Sequence, residues 1–443
     1  MNKSLGVFLS ILVASLTSLS AISASDLDGP GPQSENQVLT LQEAVRMALA
    51  HSPEVSLAGA QALRAGEAVR ETRSLKLPQV STGTGAAVNN GYPLSFEGAA
   101  PSIVQISASQ AILSKKNSSL IKQAEEAGKS SGFGAESARD DVASKTALTY
   151  YQLHQARKRI EIASARLEIL KNQQEQVGIL FAAGRVIKHE ADQAEHAVFA
   201  AQNQLNAAQE QAQLAEKELR EFTGFSQIAS IKTVEPQIEN PIFDTPSDTI
   251  YLRALECTPE ILKSKADLKA KEMHVEAEKA ERLPKLEIVG EYAVFSKVNN
   301  YADYYKSFSR NNFLLGASIQ VPVFNGFRTS SRVAESRHEV SEANYRLESQ
   351  KSDLKLNIER SSSALRIAQG DSAVARSDVK IAEDMVQLNQ TLLDTGRISP
   401  KDMDDSRSLL QQKQMALLQA EELLFQRKLE LLRVAGSISS ALQ

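Results

Sequence analysis

Tryptophan is missing altogether, and cysteine occurs once, at Cys257. A lone cysteine cannot close a disulfide within the chain, so a disulfide scaffold is excluded. Aromatic residues make up only 5% of the 443 residues, and 13 prolines and 21 glycines are too few for a collagen-like or Pro/Gly-rich disordered chain. Charge of neither sign dominates: 50 Lys plus Arg stand against 54 Asp plus Glu, a formal net charge of −4. Nucleic acid as main partner requires a basic face, which this balance does not supply. A mean hydropathy of −0.27 leaves no room for a bundle of transmembrane helices. What remains is a long, polar, mostly helical chain rich in Ala, Gln, Glu and Leu.

Chemistry finds little support either. His189, Asp192 and His196 share a helix face at i, i+3 and i+7, but no His-Glu-x-x-His signature accompanies them, so no metal site is expected. Cys257 aligns with His51 in an internal repeat described below, which specifies an inert thiol rather than a nucleophile. No Gly-rich phosphate loop is present, hence no ATP site and no cofactor is expected. The chain reads as a non-enzyme.

The N-terminus carries Lys3, an apolar run from Leu5 to Val13, and small residues at Ala21, Ser23 and Ala24. That pattern predicts a secretory signal over 1–24, because the apolar run is far short of the ~20 residues of a membrane span. With Cys257 as the sole cysteine, none lies near the cleavage site to carry a lipid.

The rest of the sequence is written twice. Ala48-Leu49-Ala50-His51-Ser52-Pro53-Glu54-Val55 returns as Ala254-Leu255-Glu256-Cys257-Thr258-Pro259-Glu260-Ile261, and Leu77-Pro78 returns as Leu283-Pro284. Leu180-Phe181-Ala182-Ala183-Gly184-Arg185 returns as Leu392-Leu393-Asp394-Thr395-Gly396-Arg397. A period near 210 residues is too long for a solenoid unit and signals a duplicated half-molecule. The expected organisation is a first repeat over 38–224, a proline-containing connector over 225–247 and a second repeat over 248–436.

Each half reads alike. Ser52 or Thr258 followed by Pro and Glu starts a helix that Leu-Pro ends. Alternating apolar stretches then predict strands over 79–89 and 103–113 in the first half and 285–295 and 313–323 in the second. Leu286, Ile288, Gly290, Tyr292 and Val294 fall on one face, with Glu287 and Glu291 on the other. Two very long helices follow, over 117–179 and 186–223, then 327–393 and 399–435. Met403, Leu410, Leu417, Leu424 and Leu431 recur every seventh residue, as do Ala191, Val198, Leu205, Ala212 and Leu219. Strict sevens impose a left-handed supercoil.

Strands of about ten residues are long enough to cross a bilayer, but four of them in lipid would leave unpaired edges. Other copies must close the sheet, and three chains supply 12 strands, within the range of outer-membrane barrels. Tyr301, Tyr304, Tyr305, Phe308 and Phe313 cluster as an aromatic girdle would. The competing reading is a soluble periplasmic coiled-coil adaptor, which should carry one helical hairpin and a small β-rich domain; this chain has two hairpins and no such domain.

The capped Ser/Thr-Pro-Glu helix, the Leu-Pro strand starts, Val321-Pro322-Val323-Phe324-Asn325-Gly326 and the duplicated Gly-Arg hairpins resemble the TolC family of outer-membrane efflux proteins over about 38–436. The resemblance implies a fold that is mainly α with a membrane β-barrel. In that family a homotrimer forms a 12-stranded β-barrel in outer-membrane lipid, continued by a periplasmic α-barrel of long coiled-coil helices. It also implies a periplasmic adaptor and an inner-membrane transporter of the ABC or RND type as partners, in type I protein secretion or multidrug efflux. The missing lipid cysteine is closer to the type I secretion branch. The adaptor's tip is expected at Gly184-Arg185 and Gly396-Arg397. The family's constricting aspartates, six and nine residues after the hairpin glycine, correspond to Asp402 and Asp405. The family's gating tyrosine is not matched, because Leu393 stands there.

Overall fold

A computed structural model describes residues 38–84, 102–225, 231–295 and 311–442. The predicted signal, four of the five girdle aromatics and the outer part of the first strand lie outside these residues. In chain order the elements are β1 (Val38–Leu39), α1 (Leu41–His51), α2 (Pro53–Ser74), β2 (Gln79–Gly83), β3 (Ser102–Leu113), α3 (Lys115–Ala182) and α4 (Lys188–Thr223). β4 (Lys232–Thr233) and a 3₁₀ turn (Pro241–Asp244) follow. Then come α5 (Ser247–Cys257), α6 (Pro259–Ala280), β5 (Lys285–Phe295), β6 (Asn311–Gln320), α7 (Arg328–Asp394), α8 (Pro400–Val434) and α9 (Ile438–Leu442). The sequence of helix, hairpin and two long helices therefore occurs twice.

Both predicted start signals open helices, although the Thr258 hydroxyl donates to the Val434 carbonyl instead of capping α6. Ser52 accepts from the Val55 amide, and Pro53 stands in the first turn of α2. Three helices were not anticipated, α1, α5 and the short α9. α1 opens with a reciprocal capping box between Thr40 and Glu43, and α5 begins inside the expected connector. The strand expected over 313–323 stops at Gln320, because Pro322 has no N–H to continue the ladder.

The helices form one layer. α3 is 68 residues long, about 100 Å at 1.5 Å per residue. α2 and α4, of 22 and 36 residues, stack along its length, and α6 and α8, of 22 and 35, stand in the same relation to the 67-residue α7. Near the sheet the order across the layer is α2, α3, α6, α7; away from it the order is α4, α3, α8, α7. A helix with a neighbour on each side needs two seams, and α8 has them. Gln411, Leu418, Phe425 and Leu432 form the deeper heptad stripe, one residue along from the expected stripe, in which Leu410, Leu417 and Leu424 are only half-buried. Small residues let the helices approach closely: Ala201, Ala208 and Ala215 on α4, and Ser361, Ala368 and Ala382 on α7, are buried.

The main core sits at mid-height, where α1, α5, the connector and α9 wrap the long helices and bury Ala44, Leu153, Leu219, Ile250, Ile358 and Ile438. Tyr150 is fully buried there; its hydroxyl lies 2.6 Å from the Leu39 carbonyl and 2.9 Å from that of Val234, and accepts from the Val234 amide at 2.8 Å. That single side chain ties α3 to both β1 and β4, which pair in parallel.

Candidate functional site: the two faces of the sheet and the helical tip

The sheet runs β2-β3-β5-β6, antiparallel throughout, so the two hairpins join through β3 and β5. Its register sorts the side chains. Val80 pairs with Ala108, Ile106 with Tyr292, Gly290 with Leu315, and Leu286 with Ile319, which makes one face apolar. The alternate positions pair Ser81 with Ser107, Ser107 with Glu291, and Glu287 with Ser318. This second face is polar and internally bonded: Ser81 and Ser107 hydroxyls lie 2.7 Å apart, Gln105 donates to Glu291 at 2.8 Å, and Lys285 reaches Glu287 at 3.3 Å. Leu315 and Ile319 are about 70% exposed in the single chain, so among the described residues nothing covers this part of the apolar face. Gln110, a polar residue on that face, donates to the Lys76 carbonyl at the sheet's helical end.

Both ends of the sheet and of the helical layer are open, and they differ. One edge consists of β2, α2 and α4, the other of β6 and α7. On α7, Ile367, Val374, Ile381 and Leu388 recur every seven residues and are 55–63% exposed, a seam with no partner among the described residues. The opposite edge exposes Leu57, Leu63, Phe199 and Leu214. This unpaired seam was missed in the sequence, where it cannot be told from its buried neighbours.

At the far end, the two long-helix hairpins close with the same cap. Gly184 and Gly396 adopt φ of 69° and 70°, and the amides of Arg185 and Arg397 donate to the carbonyls of Leu180 and Leu392, each at 2.9 Å. Five-residue closure with a left-handed glycine is a Schellman cap. Arg185 and Arg397 are exposed, and the first hairpin also exposes Ile179, Phe181 and Ile187.

The acids at the start of α8 divide into three environments. Asp402 completes a capping box: its carboxylate accepts from the Ser399 hydroxyl at 2.7 Å and from the Ser399 amide at 2.9 Å, which lowers its pKa. Asp404 is half-buried beside Arg407, 3.7 Å away, and burial raises its pKa. Asp405 is exposed and makes no ion pair among the described residues. At the start of α4, His189 bonds Gln193 of its own helix at 3.0 Å, and among the described residues no three His, Cys, Asp or Glu converge as metal ligands.

A family model described as outer membrane efflux protein matches the chain over residues 44–225 and 250–437. Among solved structures, the outer membrane channel CmeC of Campylobacter jejuni is 18% identical with a TM-score of 0.73, covering 92% of this chain and 90% of its own. The outer membrane protein VceC of Vibrio cholerae is 16% identical with a TM-score of 0.72, covering 89% and 96%. The open state of the Neisseria gonorrhoeae MtrE outer membrane channel is 14% identical with a TM-score of 0.70, covering 91% and 90%. No curated protein sequence matches the chain.

Proposed function

We propose, because this chain belongs to the outer membrane efflux protein family, that three copies close into a passive exit duct of a tripartite export system. Membership places the protein in the outer membrane and sets aside a soluble adaptor. The observation that carries the proposal is the pair of unlike open edges. A contact between two different surfaces repeats head to tail and closes into a ring when the rotation allows. Three sheets of four strands give a 12-stranded barrel whose apolar face meets lipid and whose polar face lines water. The helical layer continues the barrel by about 100 Å below the membrane.

Two sites follow from this reading. The exposed apolar and basic side chains at the Gly184 and Gly396 hairpins form the docking end for a periplasmic adaptor, through which an inner-membrane ABC or RND transporter supplies the energy. Asp405, with Asp402 beside it, forms the acidic constriction, six carboxylates around one opening in a trimer. The duct serves type I protein secretion or multidrug efflux according to the transporter beneath it. The test is assembly and conductance. Outer-membrane fractions should hold heat-modifiable trimers, and the purified trimer should conduct in planar bilayers. Recovery only as a soluble, non-conducting monomer would refute the duct.

A further inference from the structure

Where the sheet meets the helices, cationic and apolar side chains alternate. Lys76 lies in the α2–β2 connection, Lys115 and Lys116 open α3, Arg282 follows α6, and Arg328 opens α7. Apart from the five-residue α9, the helices that begin elsewhere place an acid in the first turn, as the helix dipole favours: Glu43, Glu54, Glu190, Asp248, Glu260 and Asp402. α3 and α7, the two long helices that leave the sheet, place none there and begin with cations instead. Glu281 neutralises part of this charge. It lies 3.3 Å from Lys116, 3.7 Å from Arg328 and 4.0 Å from Arg332; burial alone would raise its pKa, but the hydrogen bonds from Lys116 and Thr329 and the charges of Lys116 and Arg328 lower it. Lys76, Lys115 and Arg282 make no ion pair among the described residues, and Lys115 acts on Glu276 only at longer range, so Glu276 and Glu281 offset part of the positive charge of this level rather than all of it.

A cavity of about 380 Å³ opens at the same level, with Lys76 and Lys115 at its rim beside the Ser114 and Ser118 hydroxyls. Its floor is apolar: Ile112, Leu113, Leu283 and Pro284. The β3–β5 register shifts between Ala111 and Leu113, which leaves Ile112 and Leu113 both exposed, at 51% and 63%. The cavity lies between the ends of α2, α3 and α6, where the α2–β2 connection meets the start of α3 and the end of α6.

We propose that this cavity binds an anionic phospholipid of the periplasmic leaflet, its phosphate between Lys76 and Lys115 and the start of its acyl chains over Ile112, Leu113 and Leu283. The inference rests on the sheet spanning the membrane, as the duct requires. Charge complementarity and level select this occupant. Lysines at a membrane boundary keep their ammonium groups at headgroup depth while their stems lie along apolar surface. Basic pockets at that depth bind anionic headgroups. Free phosphate shares the charge but gains nothing from the apolar floor.

The test reconstitutes the full protein in nanodiscs of phosphatidylcholine and phosphatidylglycerol in equal parts and identifies the lipid retained on extraction by native mass spectrometry. Wild type should retain phosphatidylglycerol with a preference on the order of thirtyfold. Lys76→Gln with Lys115→Gln should reduce the preference to near unity, while Lys76→Arg with Lys115→Arg should keep it. Lys171→Gln with Lys217→Gln, the same change of charge far from the sheet, should also keep it. An equal preference in wild type and the glutamine pair overturns the site, as does stabilisation of the detergent-solubilised protein by inorganic phosphate as large as that by phosphatidylglycerol. Conductance of the same preparations reports separately on the duct. Normal conductance without lipid preference overturns only the lipid site, and absent conductance overturns the duct.

Discussion

A charge on the apolar face of the sheet should block assembly, and the register says where the effect is largest. Leu315 is the fifth of ten residues in β6, pairs with Gly290, and is 69% exposed in the single chain. Arginine near the bilayer midplane costs about 2–4 kcal/mol, and a trimer carries three copies, so Leu315→Arg should cost about 6–12 kcal/mol. That is the size of an entire domain stability. Ile319 also faces lipid but lies one residue from the strand's end, near the boundary, so Ile319→Arg should cost only about 0–1 kcal/mol per copy. Ser318 projects to the polar face opposite Glu287, where an arginine gains a carboxylate partner. The assay is the yield of heat-modifiable trimer in outer-membrane fractions, which should fall in the order Ser318→Arg, Ile319→Arg, Leu315→Arg. Equal yields at 315 and 318 would refute the assignment of faces.

Asp405→Ala should reduce both the cation selectivity of the channel and its block by multivalent cations from the periplasmic side, with Asp402→Ala adding to the loss; unchanged planar-bilayer recordings of the double variant would leave these acids as helix-start residues only. Tyr150→Phe should destabilise the chain by about 1–3 kcal/mol, because β1 and β4 lose a buried partner at one stroke; denaturant unfolding at the wild-type midpoint would contradict this. Asp140, buried and bonded to Ser439, has a raised pKa, chiefly from burial, with Glu260, Asp141 and Glu136 acting in the same direction. Its contribution is therefore fully present below the ordinary aspartate pKa and is lost as pH rises through the raised value, so Asp140→Asn should raise the melting temperature at neutral pH and not at pH 4; an offset independent of pH would exclude this carboxylate as the source. Val374→Asp should dissociate trimers and leave the monomer folded, and persistence of trimer bands would remove the α7 seam from the interface.

Much of this architecture is legible because the chain states its punctuation twice. Ser52-Pro53 and Thr258-Pro259 start equivalent helices, and Gly184 and Gly396 end equivalent ones with the same cap. Period-two alternation also revealed which side of the sheet is apolar. The Thr40–Glu43 box was equally visible as residue types, and Leu41, Ala44, Val45 and Ala48 follow the helical spacing, but the helix it opens is only 11 residues long and breaks at Ser52, so few turns carry the signal. The heptads were legible as periodic and illegible in depth. In a single layer an interior helix such as α8 has a neighbour on both sides, and adjacent stripes such as Leu417 and Leu418 differ in burial only through that arrangement. At Asp402 the geometry shows a helix cap in place, which the resemblance alone did not reveal, and Asp405 is exposed beside it.

The duplication also specifies how one copy should meet the next. Within the chain, β3, the second strand of the first half, pairs antiparallel with β5, the first strand of the second half. By the same rule β6 meets β2 of the next copy. The helices repeat the relation: α3 packs on α6 and α8, so α7 should pack on the next copy's α2 and α4. The seams carry the strongest sign of this. Ile162 and Ile169 on α3 occupy the positions that Val374 and Ile381 occupy on α7, 212 residues later. The α3 pair is half-buried within the chain, while the α7 pair is 63% exposed. One sequence pattern is thus satisfied internally in the first half and unsatisfied in the second. A ring in which every half-molecule meets the next satisfies both with one kind of contact. The wall therefore behaves as six quasi-equivalent halves, and its two open edges are the same joint cut through.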